Sequence, residues 1–254
     1  MKKILALFTT MVYLVVCPIA GGAAIAKAEG KGRQVFSRQT AVVDGQAYEI
    51  RLSGVGTTYK KQIKIDVFEA DKNPAKPVCS LTPTRDYGFD PSVKLYDFVA
   101  GEPFIFYSAQ SGGSGGYGFY YVYRLKGGTC ALVYDDETDS RENRFSGGFI
   151  DGCKMTLRNE NQKSSLIVDV SYMAADFLNQ IFTADCKPKG EEVNVNDISV
   201  VFPYFNAAVG YYQMMTHRSV NAVAEVNRLG YITENLDFSE NAFKPYFVNF
   251  SISF

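Results

Sequence analysis

The feature that most constrains this chain is the return of apolar residues at every second position. Successive side chains of a strand face opposite sides, so such alternation marks a strand with one buried and one wetted face. Tyr48, Ile50 and Leu52 alternate with Glu49 and Arg51, and Ile63, Ile65 and Val67 alternate with Lys64 and Asp66. Val248, Phe250, Ile252 and Phe254 do the same against Asn249, Ser251 and Ser253. Between them, residues 104–109 run into the glycine-rich stretch 112–118. Phe119, Tyr121, Tyr123 and Leu125 then share one face, and Lys126-Gly127-Gly128 turns the chain into residues 129–134. This spacing predicts a three-stranded meander. Further hairpins are expected around residues 159–162, between strands at 153–158 and 164–170. Another is expected around 238–241, between strands at 231–236 and 246–254.

Helical spacing is scarce. Met173, Phe177, Leu178 and Ile181 predict about ten residues of amphipathic helix. In residues 219–229, Val220, Val223, Ala224 and Asn227 would suit a helix face, but the β-branched content and Gly230 favour a strand with a bulge. The expected class is all-β: antiparallel meanders forming a small propeller-like, sandwich or barrel structure, with one short helix.

The 26 basic and 27 acidic residues leave a formal charge of −1, which excludes a polybasic nucleic-acid binder. Lys2 and Lys3 precede a largely apolar run over residues 4–19, followed by small residues ending Ala26-Lys27-Ala28. This pattern predicts a secretory signal over residues 1–28, cleaved after Ala28, with no membrane-spanning helix left afterwards. The expected location is periplasmic, cell-surface or secreted. Residues 29–254 contain no Pro/Ser-rich linker and read as a single β-rich domain. Cys17 leaves with the signal. Cys79, Cys130, Cys153 and Cys186 remain, and without a Cys-x-x-Cys pair they suit two disulfides better than a zinc site. Three connectivities are open. Pairing of sequence neighbours, Cys79 with Cys130 and Cys153 with Cys186, is the one a meander favours.

Catalytic signatures are absent from the sequence. The lone histidine, His217, has no evident acid or nucleophile beside it, and no Gly-x-Ser-x-Gly surrounds a serine. The stretch 112–118 lacks the Gly-Lys-Ser/Thr ending of a phosphate loop and precedes a strand, so it reads first as a hairpin turn. Its glycines would also let a partner approach the backbone. Gly112, Gly113, Ser114, Gly115, Gly116 and Tyr117 are therefore the candidate ligand contacts. Carboxylates cluster in residues 135–139, where Asp135, Asp136 and Asp139 could collect calcium; a solvated acidic turn is the plainer reading. The polar stretch 191–197 reads the same way. Seventeen tyrosines without a single tryptophan weaken the case for a sugar platform, and exposed tyrosines suit a protein partner equally.

The stretch LYDFVAGEPFIFYSAQSGGSGGYGFYYVYRL, residues 95–125, resembles secreted bacterial proteins built from FG-GAP or VCBS-like β-propeller repeats. FNAAVGYYQMMTHRSVNAVAEVNRLGYI, residues 205–232, echoes the same pattern. The resemblance implies a propeller-like scaffold with an acidic calcium loop before a strand. The matching positions are Asp97, Gly101 and Glu102, with Phe98, Val99 and Ala100 between them; residues 205–210 carry no acid. Taken together, the expectation is an exported, non-catalytic binding module whose partner is an envelope protein or glycan. The alternative is an envelope hydrolase acting on polysaccharide or peptidoglycan, which would need paired carboxylates in a cleft.

Overall fold

Ten-residue β1 (Gln34–Val43) and β2 (Gln46–Val55) open a run of antiparallel strands in the computed structural model, which describes residues 32–70, 72, 76–113, 116–222 and 227–252. β3 (Tyr59–Glu69), β4 (Cys79–Leu81), β5 (Gly88–Val99), β6 (Glu102–Gln110), β7 (Gly118–Lys126) and β8 (Thr129–Asp135) complete the first sheet. Its order is β1-β2-β3-β5-β6-β7-β8, with β4 paired to β3. The expected meander over residues 104–134 is β6, β7 and β8. Short α1 (Asp136–Glu142) leads into the second sheet: β9 (Phe145–Ile150), β10 (Lys154–Asn159), β11 (Ser164–Asp169), β12 (Glu192–Asn206), β13 (Tyr211–Ala222), β14 (Arg228–Ser239) and β15 (Ala242–Ile252). α2 (Ala175–Ile181) lies between β11 and β12, and the sheet order is β11-β10-β9-β12-β13-β14-β15.

Three apolar clusters hold the strands. In the first sheet, Ile50, Leu52, Ile63, Ile65 and Val67 meet Ile105, Tyr107, Tyr121, Tyr123 and Leu125 on one face. The sheet curls strongly enough for β1 to touch β5 and β6. Each fully buried Ile or Leu contributes roughly 1.5–3 kcal/mol, so this side-chain alternation dominates the fold. In the second sheet, Met155, Leu157, Val220, Leu229 and Ile232 pack with Ile181 and Phe182 at the end of α2. The opposite face of the first sheet meets the second in a third, aromatic cluster. There Phe98, Phe104, Phe106 and Tyr134 contact Ile198, Val201, Met214, Leu236 and Phe243. Cys79 bonds Cys130, tying β4 to β8, and Cys153 bonds Cys186, tying the turn before β10 to the chain after α2.

Three local expectations need correction. There are two short helices among the described residues, because the acidic run 136–142 is helical rather than a turn. The amphipathic helix is seven residues long, since Phe182 is already extended. Of residues 219–229, β13 ends at Ala222 and β14 opens at Arg228, the two strands pairing with each other rather than forming one bulged strand, and residues 223–226 lie outside the described residues. Of the propeller-like, sandwich and barrel alternatives, the separate blades of a propeller are not what forms: the strand groups merge into two large sheets. Residues 95–125 fall in β5–β7 of one sheet and 205–232 in β12–β14 of the other. The expected signal, residues 1–28, together with Ser114, Gly115 and Phe254, lies outside the described residues.

Candidate functional site

α1 begins where β8 ends. Asp135 caps it, its carboxylate accepting the Glu137 N–H at 2.9 Å and the Thr138 hydroxyl at 3.2 Å. Asp136, Glu137 and Asp139 occupy the first turn, where the helix dipole favours negative charge. The three candidate calcium ligands thus turn to separate partners. Asp135 caps the helix, Asp139 accepts the Asn143 amide, and Asp136 points inward at 3% exposure. Asp136 accepts the Tyr120 N–H at 2.7 Å and pairs with the Arg85 guanidinium. Among the described residues no three His, Cys, Asp or Glu side chains are grouped as metal ligands would be. Burial pushes the Asp136 carboxyl pKa up, with Arg85 opposing.

Arg85 is fixed from several sides. Its Nε and backbone N–H both donate to the Tyr121 hydroxyl, at 3.1 and 3.0 Å, and its guanidinium lies 4.4 Å from the Phe119 ring centroid. From α1, the Ser140 hydroxyl accepts the Ile198 N–H at 3.0 Å. That bond catches β12 where its register with β13 slips between Val195 and Ile198, and the slip frees Asn196 and Asp197 from the ladder. α1 is thereby bonded to both sheets.

Two adjoining hollows flank α1. One, of 360 Å³, is lined by Arg85, Tyr117, Phe119, Glu137, Asn196 and Asp197. The other, of 590 Å³, is lined by Arg141, Arg144, Ser146, Glu160, Asp197 and Arg218, and both include Ser140 and Asn196. Arg218 is 2% exposed; its Nε donates to Glu234 at 3.2 Å and its Nη2 to the Asp139 carbonyl at 3.4 Å. Burial raises the Glu234 carboxyl to about 7, Arg218 opposing and Asp139 adding to the rise. At the rim, Glu160 accepts the Ser146 hydroxyl at 2.8 Å. Arg144 and Asp197, both exposed, enter no ion pair or side-chain hydrogen bond among the described residues, and Arg141 makes only a 3.5 Å bond to Thr138.

The glycine loop reaches this cleft at one end. Tyr117 lines the smaller hollow. The loop closes through the Ser111 N–H on the Tyr117 carbonyl at 2.9 Å and the Gly116 N–H on the Gly113 carbonyl at 3.4 Å. Gly112 needs its glycine: its φ is +85°, and an added Cβ would overlap the Phe89 ring. Ser114 and Gly115 are not among the described residues. Of the propeller-like positions, Glu102 is taken up by Arg124 at 2.5 Å and Gly101 turns between β5 and β6 with φ +74°. His217 stands apart from α1, with the Phe202 ring 5.3 Å away and Tyr231 at 6.1 Å, and burial lowers its pKa.

Arg85, Arg141, Arg144, Asp197 and Arg218 are absent from the sequence-derived site. The one signal for them is the doubled polar step Asn196-Asp197, which breaks the alternation of Val193, Val195 and Ile198 as a bulge does. Chemically, the cleft offers free charges of both signs on a scaffold whose buried charges are paired.

In comparison with known proteins, residues 143–251 match the family model described as the YybI C-terminal domain. The matched segment starts just after α1 and takes in the second sheet. The uncharacterized protein YybI of Bacillus subtilis (strain 168) is 22% identical over 161 residues, covering 63% of this chain and 62% of that protein. No solved structure matches.

Proposed function

We propose that this chain is an exported recognition module that binds a charged envelope protein without turning it over, using the cleft around α1. The observation carrying this reading is the contrast between engaged and free charges. Asp136 with Arg85 and Arg218 with Glu234 are ion-paired and Glu160 accepts the Ser146 hydroxyl, while Arg144 and Asp197 line the adjoining hollows unpaired. Groups of fixed charge at a rim steer and register a partner. Export is supported by one disulfide in each half of the fold, since disulfides persist in oxidising compartments. No helix among the described residues is long and apolar enough to cross a membrane.

The test is a crosslinked pull-down from an envelope fraction with residues 29–254, comparing wild type, Arg141→Glu/Arg144→Glu, and a variant with the 112–118 loop shortened. The charge-reversed variant is expected to lose a specific protein at least tenfold while keeping the wild-type melting temperature. Wild-type recovery should fall as salt rises. Equal recovery by wild type and the charge-reversed variant would overturn the reading.

A further inference from the structure

On the face of the second sheet turned away from its core, three tyrosine hydroxyls and two amides are wired together. The Gln213 Oε1 has donors on three sides: the Tyr204 hydroxyl at 2.9 Å, the Tyr246 hydroxyl at 2.8 Å and the Asn206 Nδ2 at 2.7 Å. The two hydroxyls lie 2.6 Å apart, and Gln213 Nε2 donates to Asp237 at 3.3 Å. The placement is built by the backbone. β14 and β15 pair Asn235 with Phe247 and Leu236 with Pro245, so Tyr246 is the extra, bulged residue, and a bulge re-aims its side chain. Gln213 itself is 5% exposed.

An amide oxygen has two lone pairs, so it cannot satisfy three donors at once. Asn206 and Tyr246 fill it, and Tyr204 then gives its proton to the Tyr246 oxygen. This leaves the Tyr204 oxygen as an acceptor without a donor in the described structure, while Asp237, which accepts from the Gln213 amide and the Tyr211 hydroxyl, keeps lone pairs to spare. The face is therefore short of donors. Its cations are spoken for or distant: Lys244, opposite Asp237 in register, turns to Glu240, and Arg228 lies over the Tyr231 ring at the far end. Aromatic surface flanks the acceptors. Tyr246 and Phe247 are 53% and 52% exposed, and the Phe202, His217 and Tyr231 rings continue along β12 to β14. From Tyr211 to His217 the face extends for about 20 Å at the rise of a strand.

We infer that this face binds a neutral glycan chain, whose hydroxyls donate to Tyr204 and Asp237 while its C–H faces lie on Tyr246 and Phe247. A polyanion is disfavoured by Asp237, beside which the one neighbouring cation among the described residues, Lys244, is already paired with Glu240. A protein would need a larger apolar core than two half-exposed rings and three partly buried ones supply. The surface is separate from the cleft around α1, so it stands or falls independently of the function proposed above.

The experiment is equilibrium binding of chitohexaose, cellohexaose and polygalacturonate, followed by tyrosine fluorescence because the chain has no tryptophan. One or both neutral hexamers should bind the wild type. Tyr246→Ala should weaken binding at least tenfold, Asp237→Asn several-fold, and Arg144→Glu not at all, with melting temperatures reported for each. Binding of polygalacturonate alone, of no probe, or of neutral hexamers with equal affinity by wild type and Tyr246→Ala would overturn the proposal. So would a wild-type dimer abolished by Tyr246→Ala in the absence of glycan binding, which would assign the face to self-association.

Discussion

Glu234 shows how much a single residue can set in this fold. It is 1% exposed on β14, beside Arg218, Thr216 and Asp139, and burial raises its carboxyl from 4.5 to about 7. A raised folded-state pKa means that the folded chain holds this proton more tightly than the unfolded chain does. The stabilising contribution is therefore fully present below about pH 4.5 and is lost as pH rises through 7. At 1.36 kcal/mol per pKa unit the swing is about 3 kcal/mol. Urea denaturation across pH 4 to 8 should show wild-type stability falling relative to Glu234→Gln by this order; parallel curves would refute the assignment. The residues were unevenly legible. Cysteine spacing and the meander logic give both observed pairings, because disulfides join neighbours in a simple up-and-down chain. Arg218 was not legible, since it occupies an inward position of an otherwise ordinary strand and its partner lies sixteen residues away.

At the scale of elements, α1 is the departure that matters. Consecutive carboxylates suit a solvated loop, and that is how residues 135–139 read in sequence. The same residues also suit the first turn of a helix, where Asp135 accepts an otherwise unpaired N–H and the following acids face the positive end of the dipole. What decides between them is tertiary: Arg85 arrives from the segment between β4 and β5 to pair with Asp136. The two aspartates should respond differently to truncation. Asp135→Ala removes a cap and should cost about 1 kcal/mol. Asp136→Ala removes the buried acceptor of the Tyr120 N–H and the main partner of the half-buried Arg85 guanidinium, and should cost more, about 2–3 kcal/mol, a difference readable in denaturant midpoints. The second disulfide acts on another element, holding the segment that carries α2 against β10. It spans 33 residues, and Cys153→Ser/Cys186→Ser should lower stability by about 2–4 kcal/mol. Retention of the wild-type midpoint would mean that packing of Ile181 and Phe182 alone fixes that segment.

The described residues form two sheets, the first strongly curled, each with its own apolar cluster and joined through aromatic rings. Alternation predicts the strands and most of their partners because it is a local signal. It says nothing about which strand groups merge into one sheet, so a propeller and a two-sheet structure look alike in sequence. The family match beginning at residue 143 respects the same division, with α1 lying just before it. Cooperativity between the halves must then pass mainly through the aromatic cluster and α1. Phe98 is 1% exposed, with its ring 5.6 Å from Phe104 in its own sheet and 4.9 Å from Phe243 in the other. Phe98→Ala removes contacts on both sides of the joint and should cost about 3–5 kcal/mol. Ile65→Val lies within the first cluster and should cost only about 0.5–1.5 kcal/mol. Hydrogen exchange resolved by peptide separates the outcomes. In the wild type and Ile65→Val, residues 34–135 and 145–252 should reach the same limiting protection. In Phe98→Ala the second sheet should open first, because its inner face carries the buried Arg218 and Glu234 pair, whose charges gain hydration on opening. Loss of protection by both sheets together would show that α1 and its Arg85 bond, rather than the rings, couple the halves.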